Sequence, residues 1–214
     1  MRKAWIPVIS ACLLFSVACS PRDFLTRRLA ATLIAGADSF KTTQEFWLRT
    51  GVISNKDYSS PDYLVLQRRG WITGASVTCA GLSTPRPAPG AARTQGNAPE
   101  PCWDVALTPI GIETFRGLVP NNATPSRYFS VPAAKRELTG ITGISKDGNF
   151  ADVDFSWKWV PLNEVGAALY TGAIEYNSTV AFRHYDDGWR VVESSTPKSN
   201  QILDDALKNA VPAQ

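Results

Sequence analysis

The sequence predicts an α+β protein: helices in the N-terminal half, then a curved antiparallel sheet of about four strands closed by a short C-terminal helix. Three observations carry this prediction. Leucines recur four apart over residues 23–37, the period of one face of a helix. Apolar and polar residues alternate over residues 150–159, the period of a half-buried strand. Two Asp-Gly pairs, Asp147-Gly148 and Asp187-Gly188, each join two such stretches as hairpin turns do.

A chain of 214 residues holds one or two small domains. With 44% hydrophobic and 19% charged residues it builds an ordinary core, which excludes wholesale disorder. The formal charge of +3 includes Arg2 and Lys3, so the remainder is close to neutral. Such a body has no global attraction for nucleic acid or an anionic surface. Met1 is the only methionine, which excludes an adaptable methionine-rich binding surface.

Met1-Arg2-Lys3 is followed by an uncharged, mostly apolar run, Ala4 to Ala18, and then by Cys19-Ser20-Pro21-Arg22-Asp23. Basic, apolar, small, then polar is the order of a secretory signal peptide. The run is shorter than the roughly 20 residues that span a bilayer, and Pro7 interrupts it. Phe15-Ser16-Val17-Ala18-Cys19 resembles the lipobox of bacterial lipoprotein precursors, with Ser16 where that family prefers Leu. The resemblance covers residues 1–20. It implies a diacylglycerol on the Cys19 thiol, cleavage just before it, and a folded body tethered outside the cytoplasm. Ser20 after the cysteine resembles lipoproteins sorted to the outer membrane. A plain signal peptide cut near Ala18, releasing a soluble protein, remains the competing reading of the same residues.

The organisation expected is a signal peptide (1–18), a helical domain with a hairpin (19–118), a linker (119–136), a sheet domain (137–196) and a C-terminal helix and tail (197–214). On the lipoprotein resemblance Cys12 would leave with the leader and Cys19 would be acylated, so Cys79 and Cys102 would remain as an even pair outside the cytoplasm. That reads as a disulfide. The other use of two cysteines, a metal site, lacks a nearby histidine.

Leu25, Leu29, Leu33, Ile34 and Ala37 share one face of the first helix, with Arg27 and Arg28 off it. A weaker helix is expected over 43–49, ending at Gly51. The third has Ser60 as cap, Pro61 in its first turn and Gly70 as its stop. Residues 71–79 and 102–108 are rich in β-branched or alternating residues and read as a two-stranded hairpin clasped by Cys79 and Cys102. Thr108-Pro109 opens a short helix through Arg116. Helices, "LQRRGWI", a hairpin and "LTPIGIETF" in that order are similar to winged-helix domains. Many of those bind DNA, but export and the absence of a basic helix argue against nucleic acid as a partner.

Pro120, Pro125 and Pro132 with little periodicity mark the linker. Beyond it, residues 138–146 and 150–159 form one hairpin and residues 176–185 and 189–193 another, with a short helix or ordered loop over 162–170 between them. The ending "TVAFRHYDDGWRVVE" resembles the last hairpin of cystatin-like and NTF2-like domains. Ile202, Leu203, Ala206 and Leu207 form the apolar stripe of the terminal helix.

Candidate chemistry is sparse. His184, the only histidine, shares strand parity with Val180 and Phe182, as a hydrogen-bonded structural histidine does. Asp152 and Asp154 lie on the opposite face, with Lys158, Arg183 and Arg190 available as cross-strand partners. These six residues form the candidate ligand or partner face, and Trp157 and Trp159 are expected in the core. No phosphate loop, zinc spacing or nucleophile elbow occurs, so no cofactor is expected. The leading expectation is a non-catalytic binding, adaptor or structural module, partnered by membrane lipid through Cys19 and by other envelope proteins. The alternative is a small NTF2-like enzyme or small-molecule binder using the concave side of the sheet.

Overall fold

A computed structural model of the chain describes residues 24–79, 101–118, 128–193 and 202–213. Residues 1–23 with Cys19, residues 80–100 of the loop between Cys79 and Cys102, residues 119–127, 194–201 and 214 lie outside this set. The architecture is α+β, as the periodicities predict, and it is built on two antiparallel sheets.

Helix α1 (Arg27–Gly36) starts where the Thr26 hydroxyl accepts a hydrogen bond from the Leu29 amide at 3.1 Å, satisfying one of the orphan donors of its first turn. Ala30 and Ile34 on its apolar stripe are fully buried. The single turn α2 (Asp38–Lys41) follows and buries Phe40.

The helix expected over 43–49 is instead strand β1 (Gln44–Arg49). Phe46 and Leu48 point inward and Glu45 and Trp47 outward, the period-two pattern that a sheet neighbour rewards. That neighbour is β5 (Tyr128–Asp147), with Leu48 opposite Phe129. Gly51, at φ +82°, then turns the chain out of this sheet and into β2 (Gly51–Ser54), a strand of the other one.

The smaller sheet has the order β2-β4-β3, with β3 at Ile72–Val77 and β4 at Cys102–Leu107. The expected two-stranded hairpin is therefore three-stranded, because β2 pairs with the free edge of β4. Two short helices, α3 (Asn55–Tyr58) and α4 (Pro61–Arg68), lead from β2 to β3. Gly70, at φ +70°, ends the approach to β3. Tyr58 stacks on Trp103 at 4.4 Å, and the Trp103 indole donates to Asn55 Oδ1 at 2.9 Å. The Cys79–Cys102 disulfide closes the far end of the β3–β4 hairpin, where Cys102 already faces Val77. Helix α5 (Pro109–Arg116) follows β4, capped by the Thr108 hydroxyl.

The larger sheet has the order β1-β5-β6-β7-β8, with β6 at Phe150–Pro161, β7 at Glu175–Tyr185 and β8 at Gly188–Val191. The two-residue β9 (Val211–Pro212) adds to β7, making six strands where about four were expected. Part of the expected linker is strand: β5 begins at Tyr128, so residues 128–136 belong to the sheet. The proline signal misled there because Pro132 pairs with Glu45 beside a register shift in β1, where a missing amide is tolerated. Further register shifts in β5, at Leu138–Gly140 and Ile141–Gly143, bend the strand. The sheet curls strongly into a half-barrel.

One face of the sheet presents Val153, Phe155, Trp157, Val180 and Phe182. Ala30 and Ile34 of α1, Phe40 of α2, and Leu203 and Leu207 of α7 (Leu203–Lys208) cover it. Each such large side chain contributes about 1.5–3 kcal/mol by leaving water. A second core joins Leu48, Ile53, Leu66, Trp71 and Val105 to Val131 of β5 and to Val165 of α6 (Glu164–Leu169). The two halves of the sequence therefore share buried residues.

Candidate functional site

Asp152 and Asp154 both lie exposed on the face of β6 opposite its packed side. None of the three expected cations pairs with them among the described residues. Lys158 bridges to Glu137 at 3.2 Å, and Arg190 pairs with Asp187. Arg183 lies over the rings of Phe150 and Tyr185, at 5.6 and 5.0 Å. The register explains the correction. Arg183 stands opposite Phe150 on one side and Arg190 on the other, while Lys158 faces Glu137 directly. Asp154 instead accepts from the Thr179 hydroxyl at 2.6 Å, and its other oxygen packs over Gly143, where a Cβ would come within 2.6 Å.

His184 is partly buried, with its ring edge-on to Trp189 at 5.1 Å. Its backbone amide donates to Asn149, but its Nε2 is buried and bonds nothing among the described residues. The expected side-chain hydrogen bond is thus not made at that nitrogen. Nor does His184 line any of the three clefts described below.

Asp154 does belong to a polar cleft of about 600 Å³ with Thr142, Asn177, Thr179, Asp205 and Asn209. The cleft opens where α7 crosses β7. There the buried Ser178 hydroxyl accepts from the Trp157 indole at 3.1 Å and donates to the Ala206 carbonyl at 2.9 Å. Carboxylates and amides lining one opening offer acceptors to a ligand rich in N–H or O–H groups. Among the described residues, no group of three or more His, Cys, Asp or Glu is placed to hold a metal ion.

One perturbed side chain is one that the sequence did not single out. Arg136 lies on β5 opposite Trp159. Its guanidinium sits over Trp159 at 4.8 Å and near Trp157 at 5.6 Å. Trp157 stacks in turn on Tyr176, and Trp159 leans on Tyr170. Arg136 Nη1 donates to the carbonyls of Ser39 and Thr42, at 3.0 and 3.1 Å, which tie down the end of α2. Its Nε is buried without an acceptor. Burial lowers the guanidinium's pKa below its ordinary value, and Asp204 opposes that effect. One signal in the sequence points to it. Arg136 has the parity of Ala134 and Leu138, so a strand there carries a charge on its apolar side, but a linker reading hides the parity.

Beside Arg136 a second cleft, of about 580 Å³, runs between α1 and β5 and is bordered by Lys41, Lys135 and Glu137. A third, smaller one of about 370 Å³ lies between α1 and β8, beside Arg190 and Glu193.

No protein-family model, no curated protein and no solved structure matches the chain, so the site is read from its own geometry.

Proposed function

We propose that this chain is a lipoprotein of the bacterial cell envelope. Acyl chains on Cys19 hold it, outside the cytoplasm and at the outer rather than the inner membrane, and its body is a non-catalytic binding or adaptor module. The observation that carries the reading is the Cys79–Cys102 disulfide, which occupies both cysteines of the body and leaves Cys19 as the thiol at the end of the leader. Disulfides persist outside the reducing cytosol, the destination that residues 1–19 address. Among the described residues no helix is long and apolar enough to cross a membrane, so none competes with the lipid as anchor there. The packed core on one face of the sheet, where Ile34, Phe40, Leu203 and Leu207 meet Phe155 and Trp157, supports a binding role over an enzymatic one.

Mass spectrometry of the mature N-terminus, on protein recovered from a bacterial membrane fraction, tests the proposal. The expected product begins at Cys19 and carries a thioether-linked diacylglycerol. An unmodified terminus near Cys19 on a soluble protein removes the anchor and keeps export. An intact Met1 on a cytosolic protein overturns the proposal.

A further inference from the structure

We infer that Phe24, Arg27 and Arg28, at the start of α1, form the surface by which the body lies on a bilayer carrying anionic phospholipid. The inference rests on the lipid anchor proposed above and names the headgroup chemistry that the anchored body meets. Phe24 stands five residues after Cys19, so the chain between them spans at most about 18 Å when fully extended. A folded body of this length is about 40 Å across. The acyl chains therefore hold the start of α1 close to the membrane, and the far side of the body cannot turn to reach it.

The residues at that point suit such a neighbour. Phe24 is 55% exposed, an aromatic ring free to enter the boundary between headgroups and acyl chains. Arg27 and Arg28 are exposed close by, and neither makes an ion pair among the described residues. The Arg27 guanidinium makes one long hydrogen bond, 3.4 Å to the Thr142 carbonyl. The first turn of α1 holds no acidic residue, so both cations stand at the positive end of the helix dipole without compensation from their own turn. Anionic headgroups supply the missing charge. The body is close to neutral as a whole, so the attraction comes from this pair and not from overall charge. The acyl chains already provide retention, and the contact fixes orientation. Trp47 and Tyr128, 61% and 55% exposed, lie where β1 pairs with the start of β5, at the other end of that strand from Thr142, and so point away from the membrane.

The test uses protein purified from a bacterial membrane fraction and reconstituted with vesicles of phosphatidylcholine, alone or mixed with phosphatidylglycerol. Flotation with the phosphatidylcholine vesicles reads the anchor, and hydroxyl-radical footprinting by mass spectrometry reads the surface. Phe24 should be oxidised several-fold more slowly on the mixed vesicles than on phosphatidylcholine alone, while Trp47 and Tyr128 react equally on both. Each arginine beside an anionic surface favours contact about fivefold, so Arg27→Gln/Arg28→Gln should restore most of the Phe24 reactivity. Both side chains are exposed, so this variant should melt like the parent and float with phosphatidylcholine vesicles as the parent does. Equal oxidation of Phe24 on the two kinds of vesicle, or protection that survives in the double variant, overturns the inference and leaves the anchor standing. Protein that fails to float with phosphatidylcholine vesicles overturns both.

Discussion

Reducing the Cys79–Cys102 bond should cost the fold a measurable and calculable amount. The two cysteines are separated by 23 positions. Releasing a loop of that size returns conformational freedom to the unfolded chain worth about 3 kcal/mol. The folded state should lose little by comparison. β4 stays paired with β2 on one side and β3 on the other, and Cys102, only 1% exposed, keeps its place as a buried thiol. For a chain of this length about 3 kcal/mol corresponds to a fall of roughly 6–12 °C in Tm. Thermal melts followed by near-ultraviolet circular dichroism of the tryptophans, with and without a phosphine reductant, measure it, and a free-thiol assay confirms the redox state. The Cys79→Ala/Cys102→Ala variant should lose slightly more, because it also removes a buried sulfur. Oxidised and reduced protein melting within about 2 °C of each other would refute the reasoning, since a loop-closing cross-link must act on the unfolded chain.

Two further outcomes test the packing. Gly166→Ala should destabilise by about 2–4 kcal/mol in urea unfolding, because overpacked contacts and their hydrogen bonds are lost together. Its Cβ would sit 1.8 Å from the Ala133 carbonyl oxygen, forcing α6 off β5 and straining the bonds from Leu162 and Asn163 to that strand. A loss under about 0.5 kcal/mol would mean that α6 moves freely. The second outcome concerns alkaline pH. Burial raises the pKa of Tyr63 above its ordinary 10.0, and that of Tyr170 likewise. The native state therefore holds these protons more tightly than the unfolded chain does. Their contribution is intact below pH 10 and is lost as pH climbs through the raised values. Tyr63→Phe should flatten that alkaline decline. It should also cost about 1–3 kcal/mol at neutral pH, by stripping the Arg49 amide and carbonyl of the hydroxyl that bonds both. Stability measured from pH 7 to 11 distinguishes the two effects.

Elements whose signal is local were legible in the chain. The first helix announces itself by leucine spacing, α4 and α5 by Ser-Pro and Thr-Pro starts, and the β5–β6 and β7–β8 hairpins by their Asp-Gly turns. The disulfide partners followed from counting the cysteines that remain once Cys12 and Cys19 are set aside by the expected leader. The elements misread are those whose state depends on a distant neighbour. Residues 44–49 have apolar side chains too few and too evenly mixed to choose a period by themselves, and they become strand because β5 lies alongside, some 80 positions later. Residues 128–136 read as a proline-marked linker, yet residues 128–134 pair with β1 and residues 134–136 with β6.

The candidate site divides in the same way. The alternation over 150–159 was enough to put Asp152 and Asp154 on the wet face, because side-chain direction in a strand is a local property. Register decided whom they meet. It left Asp154 to Thr179 and aligned Arg183 with Arg190, pairings that depend on bulges and turn lengths and not on charge. The chain by itself determined its helix starts, its hairpins and the Cys79–Cys102 cross-link, since each is written within a few adjacent residues or in a simple count. Only the tertiary structure decided that α1, α2 and α7 pack together on one face of the sheet and that Arg136 bonds the end of α2 while lying over two indoles. Those contacts join segments about 95 residues apart or more weakly encoded than their surroundings, and burial is a property of what packs above a residue, not of the residue itself.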